Sequence, residues 1–253
     1  MKKIDLTLFL EELYPEENAE NWDVVGYQYG KETDKLNGVV VGLDCSIKLI
    51  NFAIEKKANL IITHHPITWP NYLKSLESDY TLQIYKLLDK HKITVYSLHT
   101  NLDNSDNGVH DWISEMLEWK DFKRIENSKT IRYVDLPKPI SIQELTDLLK
   151  DKLKVSSIKA NNSEKLISRI VIIPGSGASL IEQIKSTDAD ALITGDIKWN
   201  YFVQAHDWNI VLIDVGHEIE EIVVDKLYQI IHQKFPNLPL YFLKDKDNII
   251  KYF

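Results

Sequence analysis

The chain has a single cysteine, Cys45, in 253 residues. One thiol excludes an internal disulfide and suits a reducing compartment, so the expected location is cytoplasmic. Long apolar runs are missing too: no window approaches the ~20 apolar residues that a membrane-spanning helix needs. The opening stretch MKKIDLTLFLEELYPEEN turns acidic within a few residues and lacks a small-residue cleavage site. It reads as an amphipathic first helix, not as a secretory leader. An excess of positive charge is also absent. Lys and Arg number 30 against 38 Asp and Glu, a net charge of −8. Nucleic-acid binding draws its affinity from clustered Lys and Arg, so nucleic acid is disfavoured as a partner.

What is present is ordinary soluble-protein composition, 44% hydrophobic and 27% charged, with length for one large domain or two modest ones. LNGVVVGLD, NLIITHH and ITVYSLHTNLD read as buried strands, and SIKLINFAIEKKA, DYTLQIYKLLDKHK and GVHDWISEMLEW as the helices between and after them. The stretch from Asp121 to Asn162 is polar, and Ser141 with Glu144 forms a capping-box signature for one helix. A second alternating unit then runs ISRIVIIPG, ASLIEQIKST, DALITGD, WNYFVQAHDW, NIVLIDVG and EIEEIVVDKLYQIIHQK, and LPLYFLKD with NIIKYF suggests a closing strand pair. Strand–helix alternation implies an α/β protein with mainly parallel sheets flanked by helices. In such sheets functional residues collect at strand ends.

Four groups sit at or beyond strand ends. His64 and His65 are adjacent and precede Pro66; in extended backbone their rings would diverge, serving two metal ions better than one. Next, SLHTNLDNSDNGVHDW offers His99 and Asp103, with Asp106 and His110 as further candidates. Turn chemistry explains its Asp and Asn equally well. In VGHEIEE, His217 and Glu221 are four apart, so on a helix they would share a face as a two-ligand clip, against the bland reading of a solvated acidic turn. Last, the Gly175–Ser176–Gly177 turn could present backbone N–H groups to an anion, although it is neither a Walker loop nor a dinucleotide fingerprint. Imidazoles and carboxylates without thiolate suit Zn²⁺, Mn²⁺, Fe²⁺ or Co²⁺ better than an oxygen-only Ca²⁺ cage.

These motifs, in this order, resemble one family over nearly the whole chain: the GTP cyclohydrolase I type 2 homologues, also called dinuclear metal-centre proteins. NWDVVGYQYG is similar to its Trp-Asp-Asn-Val-Gly-Leu-Gln segment and VVVGLDCS to its Gly-Leu-Asp strand. ITHHP and HTNLD are similar to its metal-binding motifs, and GVHDW, GSGAS, ITGDIKWN and VGHEIEE fall at its later signatures. The resemblance implies two divalent metal ions per chain, with His64, His65, Asp103, His217 and Glu221 as ligands and His99 lining the cavity. It also implies two interlocked α/β domains, 1–125 with 215–253 and 126–214, and a toroidal homohexamer. Val24 and His110 stand where the family usually or often has Asn, and GDIKWN places Asp196 and Asn200 in a Gly-Glu-x-Lys-x-His pattern.

The activity this implies is metal-dependent hydrolysis, with an activated water attacking a cyclic C–N or phosphoester bond and GTP as one candidate small-molecule substrate. His99 is then the candidate general acid or base, and Lys198 or the Gly175–Gly177 turn the candidate holder of an anionic group. The alternative is a non-catalytic metal-binding ring, a scaffold or metal chaperone.

Overall fold

The computed structural model describes residues 1–68, 78–125 and 128–244, together with Ile249. The chain divides into two compact units. The first comprises Met1–Ser105 and the segment that starts at Glu221; the second comprises Asp106–Glu220. The crossings fall after Ser105 and after Glu220, where the sequence suggested residues 125 and 214.

In the first unit, helix α1 (Lys3–Leu13) precedes an edge strand β1 (Gly26–Tyr29). Then come β2 (Val39–Gly42), α2 (Ile47–Glu55), β3 (Leu60–Thr63), α3 (Asp79–His91), β4 (Thr94–Ser97) and the short helix α4 (Thr100–Asn104). Its sheet has the order β1-β4-β3-β2-β11, with β11 (Leu240–Phe242) contributed by the returning chain. β11, β2, β3 and β4 are parallel, and β1 alone runs antiparallel. Every residue of β2, β3 and β4 is buried, as expected when helices cover both faces of a parallel sheet. Val40, Ile61 and Val95 pack against Leu49, Ile50 and Ala53 of α2 and Ile84 and Leu88 of α3. Val39, Val41, Leu60 and Ile62 point the opposite way, because successive strand side chains alternate.

The second unit holds α5 (Val109–Met116), β5 (Lys123–Arg124), β6 (Arg132–Ile140), α6 (Ile142–Leu153), β7 (Lys159–Ala160), β8 (Ile167–Ile172), α7 (Ile181–Lys185), β9 (Ala191–Thr194), α8 (Trp199–Asp207) and β10 (Val211–Asp214). Its sheet runs β5-β6-β8-β9-β10-β7, parallel through β8, β9 and β10 and antiparallel toward both edges. The Ser141 hydroxyl accepts the Glu144 amide while the Glu144 carboxylate accepts from the Ser141 amide, so the capping box starts α6 where its signature lies. After β10 a 3₁₀ helix (His217–Glu221) leads into α9 (Ile222–Lys234), which packs on β2 and β11 of the first sheet. The protein is thus a mixed α/β fold with two mixed sheets flanked by helices. LPLYF supplies β11; the suggested partner strand NIIKYF lies outside the described residues apart from Ile249.

Candidate metal centre

Register places the first unit's polar groups. Gly42 pairs with Thr63 and Thr63 with Ser97, so β2, β3 and β4 end in step. The residues just beyond them, Asp44, His64–His65 and His99–Thr100, therefore share the carboxyl edge of the sheet. Antiparallel β1 enters at the same edge, with Gly26 opposite Ser97, and brings the preceding loop with Trp22 and Asp23 to it.

The two adjacent imidazoles do not diverge as extended backbone would require. β3 ends at Thr63 and the chain bends at 64–65. The Thr63 hydroxyl donates to the His65 carbonyl at 2.8 Å, and the His65 amide donates back to Leu43 O at 3.0 Å. This hook turns both rings to one side, with centroids 5.0 Å apart, and His99 joins them at 5.2 Å from His64 and 5.6 Å from His65. One ligand atom of each of the three lies within 4.8 Å of the others.

Each ring is oriented by an acceptor at Nδ1: Leu98 O at 2.8 Å for His64, Asp44 Oδ1 at 2.9 Å for His65 and Asp23 Oδ2 at 2.9 Å for His99. An acceptor there sets the proton on Nδ1 and the lone pair on Nε2, the arrangement that supports metal-binding imidazoles. Asp23 is clamped further by the Thr100 amide at 3.0 Å and the Thr100 hydroxyl. Burial pushes its carboxyl upward, but the bonds and charge of His99 together with those of Thr100 outweigh it and hold the group down at about 2. Asp23 is thus an ionised, fixed acceptor at neutral pH.

Asp103 sits on α4, not on the loop that turn chemistry suggested, because the chain goes helical immediately after His99. Its Oδ1 lies 3.7 Å from His64 Nε2. That is long for a hydrogen bond and within the span of two ligands that each sit about 2.0–2.2 Å from one ion. His64 and His65, each presenting Nε2, with the Asp103 carboxylate form a donor set that fits a divalent transition metal, and His99 presents a third Nε2 beside them.

β8, β9 and β10 also end together, setting the 174–177 turn, Asp196 and His217 on one edge of the second sheet. His217 and Glu221 do not form an α-helical i,i+4 face. The segment is 3₁₀, where positions three apart eclipse, so His217 Nε2 meets Glu220 at 2.8 Å while its Nδ1 meets Asp196 Oδ2 at 2.7 Å. Glu221 is buried at the start of α9, in the first unit. In the glycine turn one amide is already engaged and a carboxylate lies close by. The Gly177 amide donates to the Thr194 hydroxyl at 2.7 Å, and Gly175 is so close to the Glu220 carboxylate that a Cβ there would stand 2.4 Å from Oε1. Ser176 and Lys198 are exposed. Asp106 pairs with Arg124 at 2.8 Å, and His110 is buried; both belong to the second unit.

Asp23, Asp44 and Glu220, which meet His99, His65 and His217, are groups that sequence reading does not single out. Their one signal is position: Asp44 follows a buried strand, and Asp23 sits in the Trp-Asp segment ahead of β1.

Comparison with known proteins places these features in a wider set. The family profile described as Duf34/NIF3 (NGG1p interacting factor 3) matches residues 1–248. A Clostridium acetobutylicum protein named "GTP cyclohydrolase 1 type 2 homolog" is 31% identical over 266 residues, covering 100% of this chain and 98% of that protein. One of the same name from Mycoplasmopsis pulmonis is 35% identical over 239 residues, covering 91% and 93%. Among solved structures, the Staphylococcus aureus protein SA1388 superposes with a TM-score of 0.85 at 26% identity, covering 100% and 99%. A Bacillus cereus protein related to NIF3 gives 0.85 at 17% identity over 100% and 99%, a likeness of fold alone.

Proposed function

The chain belongs to the Duf34/NIF3 family, and from that premise we propose that it is a metal-dependent hydrolase working at the carboxyl edge of its first sheet. The observation that carries this reading is the convergence of His64, His65 and His99, each with Nδ1 held by an acceptor. The proposed ligands are those the family resemblance implies: His64, His65, Asp103, His217 and Glu221, holding two ions of Zn²⁺, Mn²⁺, Fe²⁺ or Co²⁺. When bound, such ions lower the pKa of water toward neutrality and polarise the bond under attack.

This chain's own residues supply the rest. His99 accepts a proton at Nε2 and returns it to the leaving group. Asp23 keeps the opposite nitrogen protonated and fixes the ring plane, the role of the third group in a nucleophile–base–orienter array. Lys198, exposed at the start of α8, is the candidate partner for an anionic group of the substrate. The bond class is a cyclic C–N or a phosphoester, with GTP a candidate. A cytoplasmic toroidal homohexamer is the assembly that accompanies this reading.

The test is metal content by mass spectrometry on natively purified protein, beside His65→Ala, Glu221→Ala and His99→Gln, with hydrolysis of GTP and a phosphoester panel on the same samples. Near two ions per chain, lost with turnover in the first two variants, is the expected result. His99→Gln should keep metal and lose turnover. Two ions without turnover would favour a scaffold or metal chaperone, and no metal after reconstitution would sink the reading.

A further inference from the structure

The carboxylate that meets His217 has no part in the chemistry above. Glu220 lies in the 3₁₀ helix that follows β10 and is 3% exposed. Because positions three apart eclipse in such a helix, its Oε2 stands 2.8 Å from His217 Nε2. On the other side of the ring, Asp196 Oδ2 lies 2.7 Å from Nδ1. The Asp196 side chain is 61% exposed, whereas Glu220 is enclosed.

An acceptor at Nδ1 sets the proton there and the lone pair on Nε2, as it does for the three imidazoles of the first unit. A lone pair and a carboxylate oxygen at 2.8 Å repel each other unless a positive charge sits between them. A buried carboxylate needs such a partner to stay ionised. That charge is either a second ring proton or a metal ion.

Two features favour the ion. The first is spacing. Donors bound at about 2.0–2.2 Å and at right angles to one another sit about 3 Å apart, so the pair reaches one ion with a small outward movement. The second is the shaping of the protein around Glu220. Gly175, at φ +63°, leaves the space its carboxylate fills, since a Cβ there would stand 2.4 Å from Oε1. The Gly175 carbonyl is fixed in turn by the Gly195 amide at 2.7 Å and the Thr194 hydroxyl at 2.9 Å. Asp196 pairs with the same ring from solvent without any such enclosure. A metal ligand does require it, because it holds an ion well only when its own orientation is locked.

We propose that Glu220 is a further metal ligand, joining His217 on one ion, in addition to the five that the family resemblance implies. This rests on the metal-centre reading given above. It leaves that ion one position fewer for water and substrate.

The experiment loads the full chain with Co²⁺. Bound metal is read by mass spectrometry, affinity by chelator competition, and the ligand set by visible absorption, whose bands follow coordination geometry. Glu220→Gln is close to isosteric and serves as the folding-safe variant, with thermal melts run beside it. It should weaken one of the two ions at least about tenfold, since even outer partners of a ligand cost that much, and it should shift the bands. Asp196→Asn, which alters an orienting partner only, should leave the band positions in place. Gly175→Ala, which displaces the carboxylate without changing its chemistry, should shift them as Glu220→Gln does. Unchanged affinity and bands in Glu220→Gln, or a weaker ion with wild-type bands, overturns the assignment. Two ions and shifted bands without turnover of any substrate in the wild type would uphold Glu220 and sink the hydrolase reading. Two ions with turnover and no response to Glu220→Gln would do the reverse. A wild type that takes up no Co²⁺ sinks both.

Discussion

The Asp23 carboxylate accepts the Nδ1 proton of His99 at 2.9 Å across 76 residues of sequence. The bond exists because antiparallel β1 enters the sheet where parallel β4 leaves it. Asp23→Asn keeps the shape but can offer its amide nitrogen to His99, which frees the ring to change tautomer. Turnover should fall roughly 100-fold, the lower end of what a positioned general acid–base group contributes. Circular dichroism should be unchanged. Equal kcat/KM in variant and wild type would show that the carboxylate only holds the loop.

Cys45 is buried beneath α2, and burial, helped by the neighbouring Asp44 charge, pushes its thiol up to about 12. The native protein should be inert to a thiol reagent at pH 8, because the thiolate is the reacting form. One equivalent should react after unfolding in guanidinium. Fast labelling of the native chain would contradict the packing of α2 over β2.

Asp190 joins β8 to the start of β9. Burial pushes its carboxyl up, but the Arg169 and Ser168 amides and the Lys165 ammonium more than offset this and hold it below the usual value of 3.8. A folded-state pKa depressed in this way stabilises the fold above the unfolded value, and the contribution is lost as pH falls through the folded one. Asp190→Asn should therefore lower the urea midpoint clearly at pH 7. The gap from wild type should narrow toward pH 3. A gap that stays constant with pH would remove the ionised carboxylate from the account.

Gly175 has φ +63°, and a Cβ there would meet the Glu220 carboxylate. Gly175→Ala combines left-handed backbone strain with this clash, so it should cost at least about 1 kcal/mol and lower the melting temperature. Gly177→Ala would press on Ile173 and Thr194 instead, and should behave as a core overpacking change. A melt of Gly175→Ala equal to wild type would mean that Glu220 swings away freely.

The buried strands β2, β3, β4, β9 and β10 are legible in the sequence as short β-branched runs, and α6 through its Ser141–Glu144 box. Elements toward the sheet edges are not. β1, an edge strand, reads GYQY, half polar, and β6 carries two prolines across a shift of register between Asp135 and Ile140, beyond the residues that pair with the two-residue edge strand β5; proline is tolerated where a strand lacks a partner on one side or is irregular. In the candidate site, the histidines declare themselves by chemistry and by place. Their orientation does not. That His64 and His65 do not diverge goes with a bend tied by the Thr63 hydroxyl and the His65 amide, and whether His217 meets Glu220 or Glu221 depends on a 3₁₀ turn where an α-helix is equally easy to read. The orienting carboxylates are set by strand register, which single-sequence periodicity leaves open.

The in-step ending of β2, β3 and β4 has a cost for anyone altering this protein. Because side chains alternate along a strand, deleting a single residue from β3 would leave the sheet's hydrogen-bond ladder intact yet exchange the side chains that pack on its two buried faces and shift His64 and His65 out of line with Asp44 and His99. Core and chemistry are governed by one shared alignment, so insertions are safest in the loops that the three strand ends do not reach.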